Sequence, residues 1–151
     1  NNVADFHDDL FPADRRSLFG LDSNGEPIDK NKSRREEAEA DFRINENDIV
    51  WLRPKDFMGE FALFEGDIEF DDIRQGSIGN CYFMASISAL TETPNIIAEI
   101  FRQHDVNPNG YYEICLKLDG EWQVVIVDDF IPCSKSTKKP LFANPKGHEI
   151  W

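Results

Sequence analysis

The most informative segment of this chain is Gln75-Gly76-Ser77-Ile78-Gly79-Asn80-Cys81-Tyr82. The apolar run 82–90 continues it and predicts a helix that begins at Cys81. A cysteine at a helix N-terminus lies at the positive end of the helix dipole, which favours the thiolate. Gly76 and Gly79 permit a tight loop, in which the Cys81 amide and the Gln75 side-chain NH2 group can point at one spot. Two such donors form an oxyanion hole, so the segment predicts a cysteine nucleophile, whereas an isolated cysteine is more often buried and inert.

The segment resembles the signature of the calpains, a family within the papain-like cysteine proteases. Calpains carry QGxxGDCWxLAAxxxL, and residues 75–90 read QGSIGNCYFMASISAL. Further similarity lies in a W-x-R-P segment at 51–54, a GEW-x-x-V-x-VDD-x-LP segment at 120–132 and an LF…E-x-W segment at 141–151. The resemblance therefore covers about residues 50–151, with a thinner match before them.

The resemblance implies an α+β, papain-like fold, in which this chain is the mostly helical first lobe of the protease core with a small antiparallel β-hairpin. It also implies a calcium-dependent cysteine endopeptidase acting on protein substrates, with Cys81 as the nucleophile and Gln75 as an oxyanion donor. Two positions depart from the family pattern, since Asn80 replaces an Asp and Tyr82 replaces a Trp. Asn is a good N-cap, so we expect the Asn80 side chain still to accept from the first-turn amides.

The composition indicates a soluble domain in a reducing compartment, which we take to be the cytoplasm. Lys and Arg number 16 against 29 Asp and Glu, and the net charge of −13 argues against nucleic acid or an anionic membrane as the main partner. No run approaches the ~20 apolar residues of a transmembrane helix, and the first ten residues do not resemble a signal peptide. The three widely spaced cysteines fit neither a disulfide framework nor a zinc cluster.

Turn-forming residues and the rise in apolar content after residue 48 divide the chain into a polar N-terminal arm or pro-region, 1–47, and a lobe, 48–151. In the lobe, helices are predicted at 81–91 and 95–101, and strands at 111–118 and 122–128 meet at Asp119-Gly120, a strong hairpin signal. Residues 134–139 read as a polar loop, and residues 34–40 are compatible with a short solvated helix. Four apolar residues are expected to pack the arm on the lobe: Phe6, Phe11, Leu18 and Phe19.

Several other reactive side chains are expected to be structural or on the surface: His7, His104, His148, Cys115, Cys133, Asp128 and Asp129. In papain-like enzymes, the His that activates the thiol and the Asn that orients this His lie on a second lobe. The sequence up to Trp151 offers no good substitute for them. We therefore expect the second lobe to come from the same polypeptide or from another chain, and this chain alone to be inactive.

The resemblance also implies a Ca²⁺ site in the first lobe. Its carboxylate ligands correspond to Asp72 and Glu149, and its backbone-oxygen ligands correspond to Glu65 and Asp67. The loop 65–72 is acidic and contains one glycine, as an oxygen-rich calcium site requires. The alternative is that this loop is only a solvated run of charges.

Three functions remain open from the sequence. The chain is the nucleophile-bearing part of a working calcium-dependent endopeptidase, or a catalytically inactive calpain-like module in a larger assembly. The third alternative is a calcium-responsive binding domain that uses only the site of Asp72 and Glu149.

Overall fold

The computed structural model describes residues 5–19, 23–25, 46–76 and 80–151. Predictions for residues 34–40, for the loop residues 77–79 and for the side chain of Phe19 lie outside this part. The helices are α1 Arg15–Phe19, α2 Pro54–Phe57, α3 Cys81–Leu90 and α4 Pro94–Ile100, with a 3-10 turn at Glu46–Asp48. The strands are β1 Ile49–Leu52, β2 Ile73–Arg74, β3 Tyr111–Leu118, β4 Glu121–Asp128, β5 Ile131–Ser134 and β6 Asn144–Pro145. None of the described helices is long and apolar enough to cross a membrane.

The longest sheet is the predicted hairpin. β3 and β4 pair antiparallel from Tyr111 opposite Asp128 to Leu118 opposite Glu121. Asp119 and Gly120 form the turn with positive φ values of 51° and 86°. Both signs match a type I′ turn, whose twist suits two antiparallel strands. The hairpin prediction is confirmed, with β4 starting one residue earlier than expected.

The two predicted helices of the lobe are also confirmed. Pro94 opens α4, where its fixed φ and missing N–H suit the first turn. Met84 of α3 and Ile97 of α4 are buried, and the two helices contact each other. Because α3 also contacts β2, the helix that begins at Cys81 lies against the strand that ends just before Gln75.

Two further sheets are short and join distant segments. β1 pairs antiparallel with β5, and β2 pairs antiparallel with β6, so that Ile73 lies opposite Pro145. Among the described residues, those in helices and those in strands are therefore about equal in number. The α+β class is confirmed, but the prediction of a mostly helical lobe is wrong for these residues. Strands of two to four residues are too short to carry a periodic pattern, so the sequence did not reveal them.

Arg53, at the N-cap of α2, is a buried cation. Its guanidinium group donates to the carbonyl oxygen of Phe6, to the Asp129 carboxylate and, at 3.4 Å, to the carbonyl oxygen of Gly110. It also lies 4.1 Å from the ring centre of Phe130. The sequence analysis expected Asp129 to be structural or on the surface, and its pairing with Arg53 agrees with a structural role.

The N-terminal arm turns back to the hairpin through Asp8, which is buried. The Asp8 amide donates to Asp128 Oδ2 at 2.9 Å, and Asp8 Oδ1 accepts from the Phe11 amide at 3.0 Å. Phe11 is exposed at this turn, so the prediction that it packs on the lobe is wrong. Phe6 does pack as predicted, with its ring edge-on to Tyr111 at 5.6 Å between centroids. The division of the chain at residue 47 stays a prediction.

Candidate active site and candidate metal centre

Cys81 is the first residue of α3 and is exposed. The carbonyl oxygen of the preceding Asn80 accepts from the amides of Phe83 and Met84 at 2.9 and 3.0 Å, which starts the helix. The predicted side-chain cap is wrong, because the Asn80 side chain makes no capping bond. Its Oδ1 atom is buried and has no hydrogen-bond partner in the part of the chain that the structure describes. The thiol thus lies at the accessible N-terminus of a ten-residue helix, as a nucleophile requires.

The helix that carries Cys81 presents apolar surface to solvent. Tyr82 is 76% exposed and Phe83 is 53% exposed, while Met84 is the buried residue of this helix. Large apolar side chains in contiguous exposed positions are typical of a surface that another protein part covers. The cover would lie directly beside the thiol.

Gln75 is exposed and follows β2 directly. Because β2 contacts α3, Gln75 directly follows a strand that packs against the helix beginning at Cys81. Gly76 lies so close to the backbone carbonyl oxygens of Leu141 and Phe142 that an added Cβ would overlap them. A glycine is therefore needed at 76 to let this loop pass. The side-chain geometry of the oxyanion pair stays a prediction, because residues 77–79 lie outside the described chain.

The three histidines are spread over the described residues. His7 lies in the arm with its ring centroid 5.3 Å from that of Phe130. His104 is exposed, with Nε2 3.1 Å from the Ala98 carbonyl oxygen. His148 is exposed in the closing segment, residues 141–151. None of the hydrogen bonds described for these histidines reaches Cys81. Their arrangement agrees with surface positions.

The candidate calcium ligands Asp72 and Glu149 are both buried. Asp72 Oδ2 accepts from the Glu69 amide at 2.5 Å. Glu149 Oε1 accepts from the Glu65 amide, and Oε2 accepts from the Trp151 indole N–H at 2.9 Å. The two carboxylates therefore hold the acidic loop near both of its ends.

Strand pairing brings these two carboxylates to the same loop. The closing segment runs along β2 and then along residue 62, where the Ala62 amide donates to the His148 carbonyl oxygen at 2.9 Å. The amide of Ile150 returns a bond to the Ala62 carbonyl oxygen at 3.1 Å, which fixes Glu149 between them. Glu65 and Asp67 are exposed in the loop, so their side chains point away from a buried site. This agrees with a role through their backbone oxygens.

A lysine that the sequence analysis missed also reaches the loop. Lys146 Nζ lies 2.6 Å from Asp71 Oδ1 and 3.2 Å from Glu69 Oε2. The hydrogen bond from Lys146 lowers the pKa of Asp71, and the same contacts raise the pKa of Lys146. Carboxylate oxygens of Glu69, Asp71 and Asp72 lie within 4.8 Å of one another. The only sequence signal for Lys146 was its place three residues before Glu149, since the contact joins segments far apart in the chain.

The oxygen ligands that these residues offer fit a calcium ion. Ca²⁺ prefers carboxylate and carbonyl oxygens. An ionised carboxylate has about four acceptor positions, of which the described N–H groups use one on Asp72 and two on Glu149. Acceptor capacity therefore remains on both buried carboxylates.

Comparison with known proteins assigns the chain to a family. The family described as calpain family cysteine protease matches residues 6–151. The chain is 33% identical, over 97% of its length, to the calpain-type cysteine protease ADL1 of Oryza sativa subsp. japonica. It is 28% identical, again over 97% of its length, to Calpain-12 of Homo sapiens and to Calpain-5 of Mus musculus.

The chain thus belongs to the calpain family of cysteine proteases. The match begins at residue 6, so it also includes the part before residue 50, where the motifs showed only a thinner resemblance. The chain spans 6% of the rice relative, 18% of the human relative and 21% of the mouse relative. It therefore corresponds to a small part of each of these proteins.

Proposed function

We propose that this chain is the nucleophile-bearing part of a calcium-dependent cysteine endopeptidase of the cytoplasm, in which Cys81 attacks peptide bonds of protein substrates. The main support is an accessible cysteine at the N-terminus of α3 in a calpain family chain. The His and Asn that complete the site are supplied by a second lobe, from the same polypeptide or another chain, and this chain alone is inactive.

The proposed reaction is acyl transfer in two steps. Cys81 Sγ attacks the carbonyl carbon, while the Cys81 amide and the Gln75 side-chain NH2 group stabilise the negative charge that develops on the carbonyl oxygen. The His of the second lobe takes the thiol proton and passes it to the leaving amine, which leaves a thioester on Cys81. Water then attacks the thioester, releasing the new carboxyl terminus and restoring the thiol.

The exposed apolar side chains of α3 support the proposal of a second lobe. Tyr82 and Phe83 directly follow the nucleophile and are more than half exposed. A lobe that docked on this surface would bury them and exclude water from the thiol, which strengthens electrostatic stabilisation of the oxyanion.

The proposed calcium ion is held by the carboxylates of Asp72 and Glu149 and by the backbone oxygens of Glu65 and Asp67. When bound, the ion supplies positive charge that ties the acidic loop to the closing segment. The two side chains hold the loop through its own amides at Glu65 and Glu69, so they link the loop next to Gln75 to the segment around residue 149.

The full-length protein tests the thiol directly. We expect an epoxysuccinyl inhibitor to label Cys81 stoichiometrically in the presence of calcium, as measured by mass spectrometry of the intact protein and its peptides. Cys81→Ser should abolish labelling, while the matched variants Cys115→Ser and Cys133→Ser should retain it. Burial raises the pKa of the Cys133 thiol to about 11, so this thiol should not react near neutral pH. Gln75→Ala should lower turnover by on the order of 10²–10³.

The second candidate is an inactive calpain-like module in a larger assembly. Asn80 favours this candidate, because the residue before the proposed nucleophile departs from the family pattern. Its side chain does not cap α3, and its buried Oδ1 has no partner among the described residues. Absence of inhibitor labelling in the calcium-loaded full-length protein would support this module and reject the protease.

A purely calcium-responsive domain predicts no labelling but a calcium-dependent rise in melting temperature that Asp72→Ala abolishes.

A further inference from the structure

Lys146 is a cation held on the acidic loop by the fold itself. β6 pairs with β2, and the amide of the next residue, Lys146, donates to the Asp72 carbonyl oxygen at 2.7 Å. This bond fixes the backbone of Lys146 beside the residue that also carries the buried carboxylate. The side chain then reaches the outer carboxylates, with Nζ 2.6 Å from Asp71 and 3.2 Å from Glu69.

The ammonium group of Lys146 therefore lies among the carboxylates of the loop, where a bound cation would also lie. The oxygens of Glu69, Asp71 and Asp72 lie within 4.8 Å of one another, and Nζ contacts two of these three residues. Arg74 also acts on Asp71 electrostatically, without a described hydrogen bond to it. Lys146 is thus the cation in direct contact with the loop among the residues that the structure describes.

We propose that Lys146 is a tethered counter-cation that weakens calcium binding at the Asp72–Glu149 site and thereby sets the calcium concentration to which the site responds. This inference rests on the proposed calcium site. Lys146 acts there through its charge on the acidic loop and is not a ligand of the calcium ion.

Elementary electrostatics gives the direction and the size. A calcium ion at Asp72 is repelled by the nearby ammonium group, and its double charge doubles the repulsion relative to a monovalent ion. Glu69 and Asp71, which would otherwise add negative potential to the site, are already paired with Lys146. Solvent screens part of the effect because Lys146 is partly exposed. Removal of the ammonium group should therefore tighten calcium binding on the order of tenfold.

Isothermal titration of CaCl2 into the full-length protein tests this inference. Lys146→Met keeps the aliphatic side chain and removes the charge. Lys139→Met is the matched control, because Lys139 is an exposed lysine in the loop after β5. We expect Lys146→Met to lower the calcium dissociation constant on the order of tenfold, and Lys139→Met to change it less than about twofold.

A charge-neutralised background shows whether the effect passes through the outer carboxylates. In Glu69→Gln/Asp71→Asn the ammonium group loses both anchors, so adding Lys146→Met should change calcium affinity less than it does in the wild-type loop. An undiminished tightening in this background would overturn the tethered geometry.

The outcomes also separate this inference from the calcium site on which it rests. If the wild-type protein binds calcium and Lys146→Met binds it equally or more weakly, the inference is wrong and the calcium site stands. If neither protein binds calcium, the calcium site itself is wrong and the inference falls with it. If only Lys146→Met binds calcium, the inference is supported in its strongest form.

Discussion

Two groups of buried charge among the described residues are built in opposite ways. At the arm, the buried guanidinium of Arg53 faces the Asp129 carboxylate, and their side chains are only 3% and 10% exposed. At the acidic loop, Asp72 and Glu149 are buried carboxylates whose described partners are N–H groups, and the contacting cation, Lys146, is bonded to the outer residues Glu69 and Asp71.

The difference indicates two roles. A buried ion pair with its remaining donors satisfied is balanced, and breaking it leaves an uncompensated buried charge. Buried carboxylates that receive only N–H donors retain excess negative charge, which a cation would stabilise. We therefore expect the Arg53 group to govern stability without calcium and the Asp72–Glu149 group to govern the response to calcium.

The largest expected effect on stability is at the ion pair of Arg53 and Asp129. Arg53→Met should lower the free energy of unfolding by about 3–5 kcal/mol, because Asp129 would stay buried without its partner. Urea denaturation followed by fluorescence measures the change. Arg102→Met is the control, since the Arg102 side chain is exposed and its hydrogen-bond contact among the described residues is a 4.0 Å approach to Cys115 Sγ. It should change stability by at most about 0.5 kcal/mol. A loss below about 1 kcal/mol for Arg53→Met would show that the pair is not structural.

Two glycines offer a finer test of the same contrast. Gly110 and Gly66 have positive φ values of 66° and 80° in the two regions. An added Cβ at Gly110 would overlap Arg53 and Asp129, whereas at Gly66 it meets open space. Gly66→Ala should therefore cost only the backbone strain of about 1–2 kcal/mol. Gly110→Ala should cost about 2–4 kcal/mol, because displacement of the ion pair adds to the strain. Equal losses in thermal denaturation would contradict the close packing around Arg53.

Local signals in the sequence were sufficient for the hairpin and for the two helices. Asp119-Gly120 has the φ values that a two-residue turn requires, and Pro94 separates α3 from α4. The pairing of Arg53 with Asp129 and the contacts of Lys146 were not predictable in this way. Both join segments that lie far apart in the chain, and only the folded backbone brings these charges together. Asp72 and Glu149 were proposed as calcium ligands through family resemblance, which carries long-range information that local patterns lack.

A smaller effect is expected at the acidic loop. Glu149→Gln keeps the shape of the side chain but turns an NH2 group towards the Glu65 amide or the Trp151 indole. Without calcium, the loss of one hydrogen bond should cost about 1–2 kcal/mol. With calcium, the rise in melting temperature that we expect for the wild-type protein should disappear. The exposed Glu121, beside the hairpin turn, provides the control variant Glu121→Gln, which should keep the calcium response. A loss as large as that of Arg53→Met would remove the distinction between the two groups.

The smallest expected effect concerns the acid titration of Asp71. Its pKa lies below the usual 3.8, first because of the hydrogen bond from Lys146. A lowered pKa in the folded state stabilises the protein above the unfolded value, and this contribution is lost as the pH falls through the lower folded value. Lys146→Met should therefore raise the pKa of Asp71 towards 3.8 and remove the contribution at neutral pH. NMR titration of the carboxyl carbons measures the shift. Asp14 is an internal control, because its lowered pKa depends on Arg16 and should not change in the variant. If both carboxyl groups titrate as in the wild-type protein, Lys146 is not bound to Asp71 in solution, and the acidic loop then lacks even its surface cation.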